Sequence, residues 1–325
     1  MPPQNIAIVG AGLAGLACAH SLDAYGVRVR MFDKGRAPGG RLSSRRVERD
    51  GRVFGFDHGA QYLTARGPAF SAVLDAAKTA AWPDPGRRVG LPHMSAVPRR
   101  LAAGLDIAPS RQVTEIIGEP GAWRLRHLDA SKLRPGGKPP ETVPDEAGPF
   151  DAVVLAMPAP QAAALFAGPA PALAAMLSGV RMAPCWTLMA AFPERLALAD
   201  TLRLSSGPIG WAARDSSKPG RDAGTECWVV QAGPDWSRDH LERQPAEVAT
   251  LLLAALERLH VAALPAPIFT AAHRWRFALV EAPLGAPCLW QRALGLGATG
   301  DWCIGPRAEA AVDSGAAMAA AIRSA

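Results

Sequence analysis

The chain has 325 residues, 49% of them hydrophobic and 20% charged, with a net charge of +6. That profile suits a soluble globular protein of one large domain or two interlocked ones, and no stretch is long and apolar enough to span a bilayer. No long basic run with interleaved aromatics marks a nucleic-acid surface, and five scattered cysteines without C-x-x-C spacing indicate a reduced cytoplasmic protein without a metal site.

The first apolar run, Ile6-Ala7-Ile8-Val9, reads as a strand, followed by a glycine-rich turn and a helix-like stretch through Leu22. The strand begins by about residue 5, which leaves no room for a signal peptide. Val27–Phe32 reads as a second strand. A helix is expected over 69–81. Strands at 113–117 and 123–128 flank the turn at 118–121. Residues 131–149, dense in Pro and Gly, read as a mobile surface loop. Residues 150–156 form a buried strand stopped by Met157-Pro158. Helical alanine segments alternate with prolines over 159–180. Runs at 184–193, 207–214 and 225–233 suggest an antiparallel sheet, residues 237–261 one amphipathic helix, and a last helix starts near 308.

The turn Gly10-Ala11-Gly12-Leu13-Ala14-Gly15 is a G-x-G-x-x-G between strand and helix. Gly10 permits the tight turn, Gly12 lets a pyrophosphate approach the backbone, and Gly15 allows close packing of helix on sheet. The helix N-terminus then faces the phosphates. Asp33 closes the second strand, where a carboxylate accepts hydrogen bonds from an adenosine ribose and repels a 2′-phosphate. Lys34 follows it. The next segment, Gly35-Arg36-Ala37-Pro38-Gly39-Gly40-Arg41, offers paired glycines and a forked donor in Arg41. A G-x-G-x-x-G with an acidic strand end fits NAD or FAD; the paired glycines and Gly300-Asp301 near the C-terminus favour FAD. No second G-x-G-x-x-G follows a strand, so a nicotinamide nucleotide would enter as a substrate. Asp301 could meet a ribityl hydroxyl or cap the last helix.

The Gly35–Arg41 segment resembles the second glycine motif of the amine-oxidase-like flavoproteins. Asp57-His58-Gly59-Ala60-Gln61-Tyr62 narrows the resemblance to the renalase-like branch, as do Pro184-Cys185-Trp186, His273-Arg274-Trp275-Arg276-Phe277-Ala278 and Gly300-Asp301-Trp302. This resemblance implies an α/β protein. Its Rossmann-like FAD-binding domain, of the amine-oxidase/glutathione-reductase-2 type, would comprise residues 1–75, 101–165 and 283–325. A discontinuous α+β substrate domain on an antiparallel sheet would comprise 76–100 and 166–282. It also implies non-covalent FAD held by the 10–15 loop, Asp33, Lys34, Gly40, Arg41, His58, Gly59, Ala60, Gln61, Gly300 and Asp301. Val113 would lie against the adenine, though it suits a plain core position equally.

The implied reaction takes a hydride from misreduced dinucleotides, 2- or 6-dihydroNAD(P), to give NAD(P)+, and passes it to O2 to give H2O2. Pocket candidates are His93, Ser95, Cys185, Trp186, Gln231 and Trp275. Trp186 and Trp275 suit a core as well as a stacking pair, and His93 suits a surface loop. The resemblance implies a strand position where bacterial relatives tend to carry His and this chain has Gln231. Amine oxidases of the superfamily place a lysine and paired aromatics near the flavin, and this chain has no lysine after Lys218 and only Tyr25 and Tyr62. Oxidation of another small donor such as an amine, or flavin binding without turnover, are the alternatives.

Overall fold

The apolar run before the glycines forms strand β1 (Asn5–Val9), which leads through the turn into helix α1 (Leu13–Asp23) and strand β2 (Arg28–Phe32). In this computed structural model, which describes residues 2–132, 144–260 and 263–324, β1 pairs in parallel with β2 and with the strand Ala152–Leu155. The six-stranded sheet continues outward through Asp106–Ala108 on one side and Leu296–Ala298 and Leu289–Gln291 on the other. Ile6–Val9 and Ala152–Leu155 at the centre are apolar and buried, as parallel strands covered on both faces must be.

One compact unit comprises Met1–Gly40, Pro98–Arg181 and Val280–Ala325; the other comprises Arg41–Val97 and Met182–Leu279. The first holds the parallel sheet and a three-stranded antiparallel sheet of Arg111–Ile117, Trp123–Asp129 and Asp145–Phe150. Its core joins Ile6, Ile8, Leu16 and Leu22 to Met318, Ala319 and Ile322 of the final helix, Ala308–Arg323. The second is built on a five-stranded antiparallel sheet in the order Thr201–Arg203, Ile209–Arg214, Glu226–Ala232, Arg181–Phe192, Phe269–Ala282.

These units differ from the expected domain boundaries over two long stretches, and by three residues each at 98–100 and 280–282. Residues 41–75 lie in the second unit, because Phe54 and Phe56 bury their rings with Met189, Ala191, Cys227, Val229 and Phe269. Residues 166–181 lie in the first, where the helix Pro171–Met176 packs on the helix Ala159–Phe166.

Several elements differ from the sequence pattern. The helix expected over 237–261 is two, Pro234–Asp239 and Pro245–Glu257. Pro245 has no N–H to continue the first and suits the first turn of the second. The second helix buries Val248, Leu252 and Leu256 against Trp186, Leu188 and Phe192. The helix expected over 69–81 spans Pro68–Ala76; Lys78 takes φ +52° and Thr79–Ala81 is a strand. Within the expected loop 131–149, Asp145–Phe150 is a strand paired with Trp123–Asp129, its register broken between Ala147 and Phe150. Gly148, at φ +127°, and Pro149, which lacks a ladder donor, account for the break. Residues 133–143 of that loop lie outside the described residues. The fourteen-residue strand Phe269–Ala282 was hidden by its charged residues, which an edge strand tolerates. No helix among the described residues is long and apolar enough to cross a membrane.

Candidate functional site

In the first unit the glycine loop is shaped by what its neighbours leave no room for. Gly10 has φ +112°, and a Cβ there would strike the Ala156 carbonyl. A Cβ at Gly15 would strike the Gly10 carbonyl. At Gly12 a Cβ would meet nothing within 4 Å, so open space lies beside the turn. Helix α1 starts at Leu13 without a side-chain cap and with no acidic residue in its first turn. Its first N–H groups and the positive end of its dipole therefore suit an anion.

Asp33 is placed at the end of β2 and is already engaged. One carboxylate oxygen accepts from the Ala11 N–H at 2.6 Å, the other from the Gly35 N–H at 2.6 Å. Burial pushes its pKa up, and the two backbone N–H groups and the Lys34 charge pull back. The carboxylate thus pins the glycine loop to the second glycine segment, while further lone pairs remain for a ribose. Gly39 donates to the Ala11 carbonyl at 2.9 Å, and a Cβ on Gly40 would lie 3.6 Å from Gly12 Cα. Lys34 is exposed. Ser110 and Arg111 donate to the carbonyls of Gly35 and Asp33 at 2.9 and 2.8 Å, which sets Val113, 8% exposed, close along the strand from Asp33.

Asp301 is buried, and its carboxylate accepts from the Trp302 N–H at 2.9 Å in the short turn Asp301–Cys303. The last helix begins at Ala308, so Asp301 does not cap it. Gly300 is required by Trp302, whose indole occupies the place of a Cβ and donates to the Met157 carbonyl at 2.9 Å.

In the second unit, one face of the antiparallel sheet gathers sequence-predicted residues. Register sets Thr187 opposite Gln231 and Gln231 opposite Trp211, and strand alternation adds Cys185 to the same face. Segment 57–61 is tied there. Gln231 Nε2 donates to the Gly59 carbonyl at 2.7 Å and Trp275 Nε1 to the His58 carbonyl at 2.9 Å. The Ala60 N–H donates to the Arg41 carbonyl at 2.8 Å, and Arg41 Nη1 to the Ala278 carbonyl at 2.9 Å. A Cβ at Gly59 would collide with the Arg41 carbonyl, so only glycine passes. His58 stacks on Trp275 with ring centres 5.3 Å apart, and His273 meets His58 edge-on at 5.0 Å.

His58, His273 and Cys185 on this face are held neutral at neutral pH. His58 falls to about 4, chiefly through burial, then the neighbouring His273 and Arg45; His273 falls to about 4 through burial and Arg45. Burial raises the Cys185 thiol to about 11.

The remaining pocket candidates lie elsewhere. Trp186 points to the opposite, core face, is fully buried, and donates to the His240 carbonyl at 3.0 Å. His93 packs over Gly55 and lines a cavity of about 390 Å³ with Arg46, Arg221 and Cys227. Ser95 is buried and donates its backbone N–H to Ser44 Oγ at 3.1 Å.

Sequence reasoning missed a buried charge cluster of Asp57, Asp215, Lys218 and Arg221. Lys218 and Asp215 sit three apart in a short turn, a spacing that reads from sequence as a solvated surface pair. Burial pushes the Asp57 carboxyl up, but Lys218 and Arg221, with hydrogen bonds from Ser44 and Arg221, hold it well below the usual range.

Taken separately, the residues of each unit suit part of a flavin dinucleotide. The first unit offers open space at Gly12 and uncapped helix N–H groups. The second offers a buried donor without a hydrogen-bond partner among the described residues, Trp211 Nε1.

Known proteins agree with this reading of the fold. Residues 8–77 match the NAD(P)-binding Rossmann-like domain, and residues 67–287 match the flavin containing amine oxidoreductase family. A 72-residue stretch is 36% identical to protoporphyrinogen oxidase 2, chloroplastic/mitochondrial, of Arabidopsis thaliana; it spans 22% of this chain and 13% of that protein. The fold resembles a candidate protoporphyrinogen oxidase from Exiguobacterium sp. 255-15, with TM-score 0.72, 14% identity and 98% of each chain covered. It also resembles putrescine oxidase in its putrescine-bound form, with TM-score 0.67, 14% identity and 99% of each chain covered. With two thirds of its length matched by that family's model, the chain belongs to the flavin containing amine oxidoreductases.

Proposed function

We propose that the protein is a renalase-like oxidase that binds FAD non-covalently and oxidises 2- or 6-dihydroNAD(P) to NAD(P)+, with O2 as final acceptor and H2O2 as product. The flavin, when bound, supplies the hydride acceptor and the site of reaction with O2. The Gly10–Gly15 loop and Asp33 would hold its pyrophosphate and ribose, and Val113 its adenine. Arg41, Gly59 and Ala60 would run along its ring system, and Asp301 would serve its ribityl chain.

One observation carries the choice of donor: the sheet face around Gly59 is uncharged at neutral pH and flanked by Arg45. His58, His273 and Cys185 are held neutral, and Thr187, Gln231, Trp211 and Trp275 carry no charge. An ammonium donor needs a carboxylate or an electron-rich cage with a nearby anion. An anionic dinucleotide favours the opposite balance. The dihydro-isomers are already activated hydride donors, so a strong general base is unnecessary. Gln231 and Trp275 would orient the nicotinamide carboxamide and ring.

Anaerobic single-turnover reduction of the flavin separates the donors. The dihydro-isomers should bleach the flavin band within seconds and release NAD(P)+. A panel of putrescine, other amines and protoporphyrinogen should leave it oxidised. Bleaching by a panel member alone would end the dihydronicotinamide reading.

A further inference from the structure

Four ionisable side chains lie almost fully out of water in the second unit. Asp57, Asp215 and Lys218 have no exposed side-chain surface, and Arg221 has 3%. Burying such a cluster is costly, and a well-packed apolar replacement is often as stable. The ammonium and both carboxylates are nonetheless hydrogen-bonded, while Arg221 Nε has no hydrogen-bond partner among the described residues. Lys218 Nζ has three donors and uses all three: Asp215 Oδ1 at 2.5 Å, Asp57 Oδ2 at 3.3 Å and Gln61 Oε1 at 3.3 Å. Asp57 Oδ1 accepts from Ser44 Oγ at 2.6 Å and from the Met94 N–H at 3.0 Å; Oδ2 also receives Arg221.

The third Lys218 bond links the cluster to the segment beside the sheet face. It takes the amide oxygen of Gln61, so the amide nitrogen must turn the other way. That nitrogen donates to the Asp57 carbonyl at 2.5 Å and to the Gly59 carbonyl at 3.1 Å. With Trp275 on the His58 carbonyl and Gln231 on the Gly59 carbonyl, each carbonyl from 57 to 59 has a side-chain donor. The Ala60 N–H is held by Arg41. Without the ammonium, Gln61 could present either end to the carbonyls, and its oxygen would repel them.

We propose that Lys218 is a positioning residue which, through the orientation of Gln61, fixes the Asp57–Gly59 carbonyls and so the shape of the segment that runs along the flavin. This rests on the flavin assignment above. Lys218 acts through another residue: its three N–H donors are spent on two carboxylates and one amide.

Gln61→Glu tests the amide separately from the cluster. It keeps the side chain's shape and gives Lys218 an ionised partner, but the carboxylate has no N–H for the two carbonyls. The fold should survive. Hydrogen exchange at Ala60 should quicken by roughly tenfold, as for a loosened local hydrogen-bond network. The Kd for FAD should rise by about the same factor, and the visible band of the bound flavin should shift. Lys218→Met should do the same where it folds; where it does not, Gln61→Glu decides alone. Ser217→Ala removes the partner of Trp82 Nε1 (3.1 Å) and the donor to the Arg214 carbonyl (2.8 Å), touches no hydrogen bond of Lys218 or Gln61, and should leave exchange at Ala60 and the flavin band unchanged.

The proposal is overturned if Gln61→Glu binds FAD with wild-type Kd and band shape, or if Ser217→Ala shifts the band as far. A wild-type chain that takes up no FAD on reconstitution defeats the flavin assignment and this inference together. A wild-type chain that binds FAD beside an unaltered Gln61→Glu defeats this inference alone.

Discussion

The Gly10–Gly15 loop and the His58–Gln61 segment are each held without freedom, by opposite means. The loop is shaped by backbone: missing side chains at Gly10 and Gly15 admit two carbonyls, and one carboxylate, Asp33, ties its flank. The segment is shaped by side chains from distant parts of the sequence, Trp275, Gln231 and Lys218, reaching in to backbone carbonyls and to Gln61. Backbone recognition depends on a few glycines at fixed spacing. Side-chain recognition depends on tertiary assembly, and any of its props can be altered separately.

That contrast is open to tests of decreasing size. Lys218→Met leaves two buried carboxylates facing each other without their ammonium, and chemical denaturation should report a loss of about 3–5 kcal/mol. A wild-type denaturation midpoint would show that the cluster is not structural.

Acid should act next. The unfolded chain protonates His58 and His273 near 6.5, whereas burial holds both to about 4 in the folded chain. The unfolded state therefore binds more protons in this window, and stability falls as the pH drops from 6.5 towards 4, by about 3 kcal/mol for the pair after allowance for partial exposure. Replacing both with Gln should flatten the melting temperature over that range; an unchanged slope would assign the acid sensitivity elsewhere.

Gly15→Ala drives a Cβ into the Gly10 carbonyl and should cost about 1–3 kcal/mol, read by thermal melting without cofactor. The smallest effect on stability belongs to Gly12→Ala. Its Cβ meets nothing within 4 Å, so folding should change by less than about 0.5 kcal/mol. FAD affinity should nevertheless fall by roughly tenfold or more, because the methyl group fills the space a pyrophosphate needs. If Gly12→Ala binds FAD normally, the open space beside the turn is not the phosphate site.

The same contrast explains what could be read from the sequence. β1, α1, β2 and Asp33 were legible because a glycine's role is written in its own position. The three strands at 181–192, 209–214 and 226–232 were legible because they are largely apolar runs separated by turns. Pro245 breaks a helix that periodicity alone would continue. Gln231 and Trp275 meet segment 57–61, as a site would require, but Trp186, from the same motif as Cys185, turns to the core, since adjacent residues in a strand face opposite ways. Lys218 was illegible because a lysine in a polar turn carries no local mark of burial; its surroundings come from residues 57, 61 and 82.

Gly315 has a place in the order of synthesis. A Cβ there would strike the Ala14 carbonyl, so the final helix lies directly against α1, and Met318, Ala319 and Ile322 complete its core. The glycine loop thus leaves the ribosome long before the helix that backs it, and parallel strands from both ends of the chain must also meet around β1. Contacts so distant in sequence close late. During translation the nucleotide cradle is an open half-structure, and nascent chains stalled before residue 308 should neither protect the loop from proteolysis nor retain a dinucleotide.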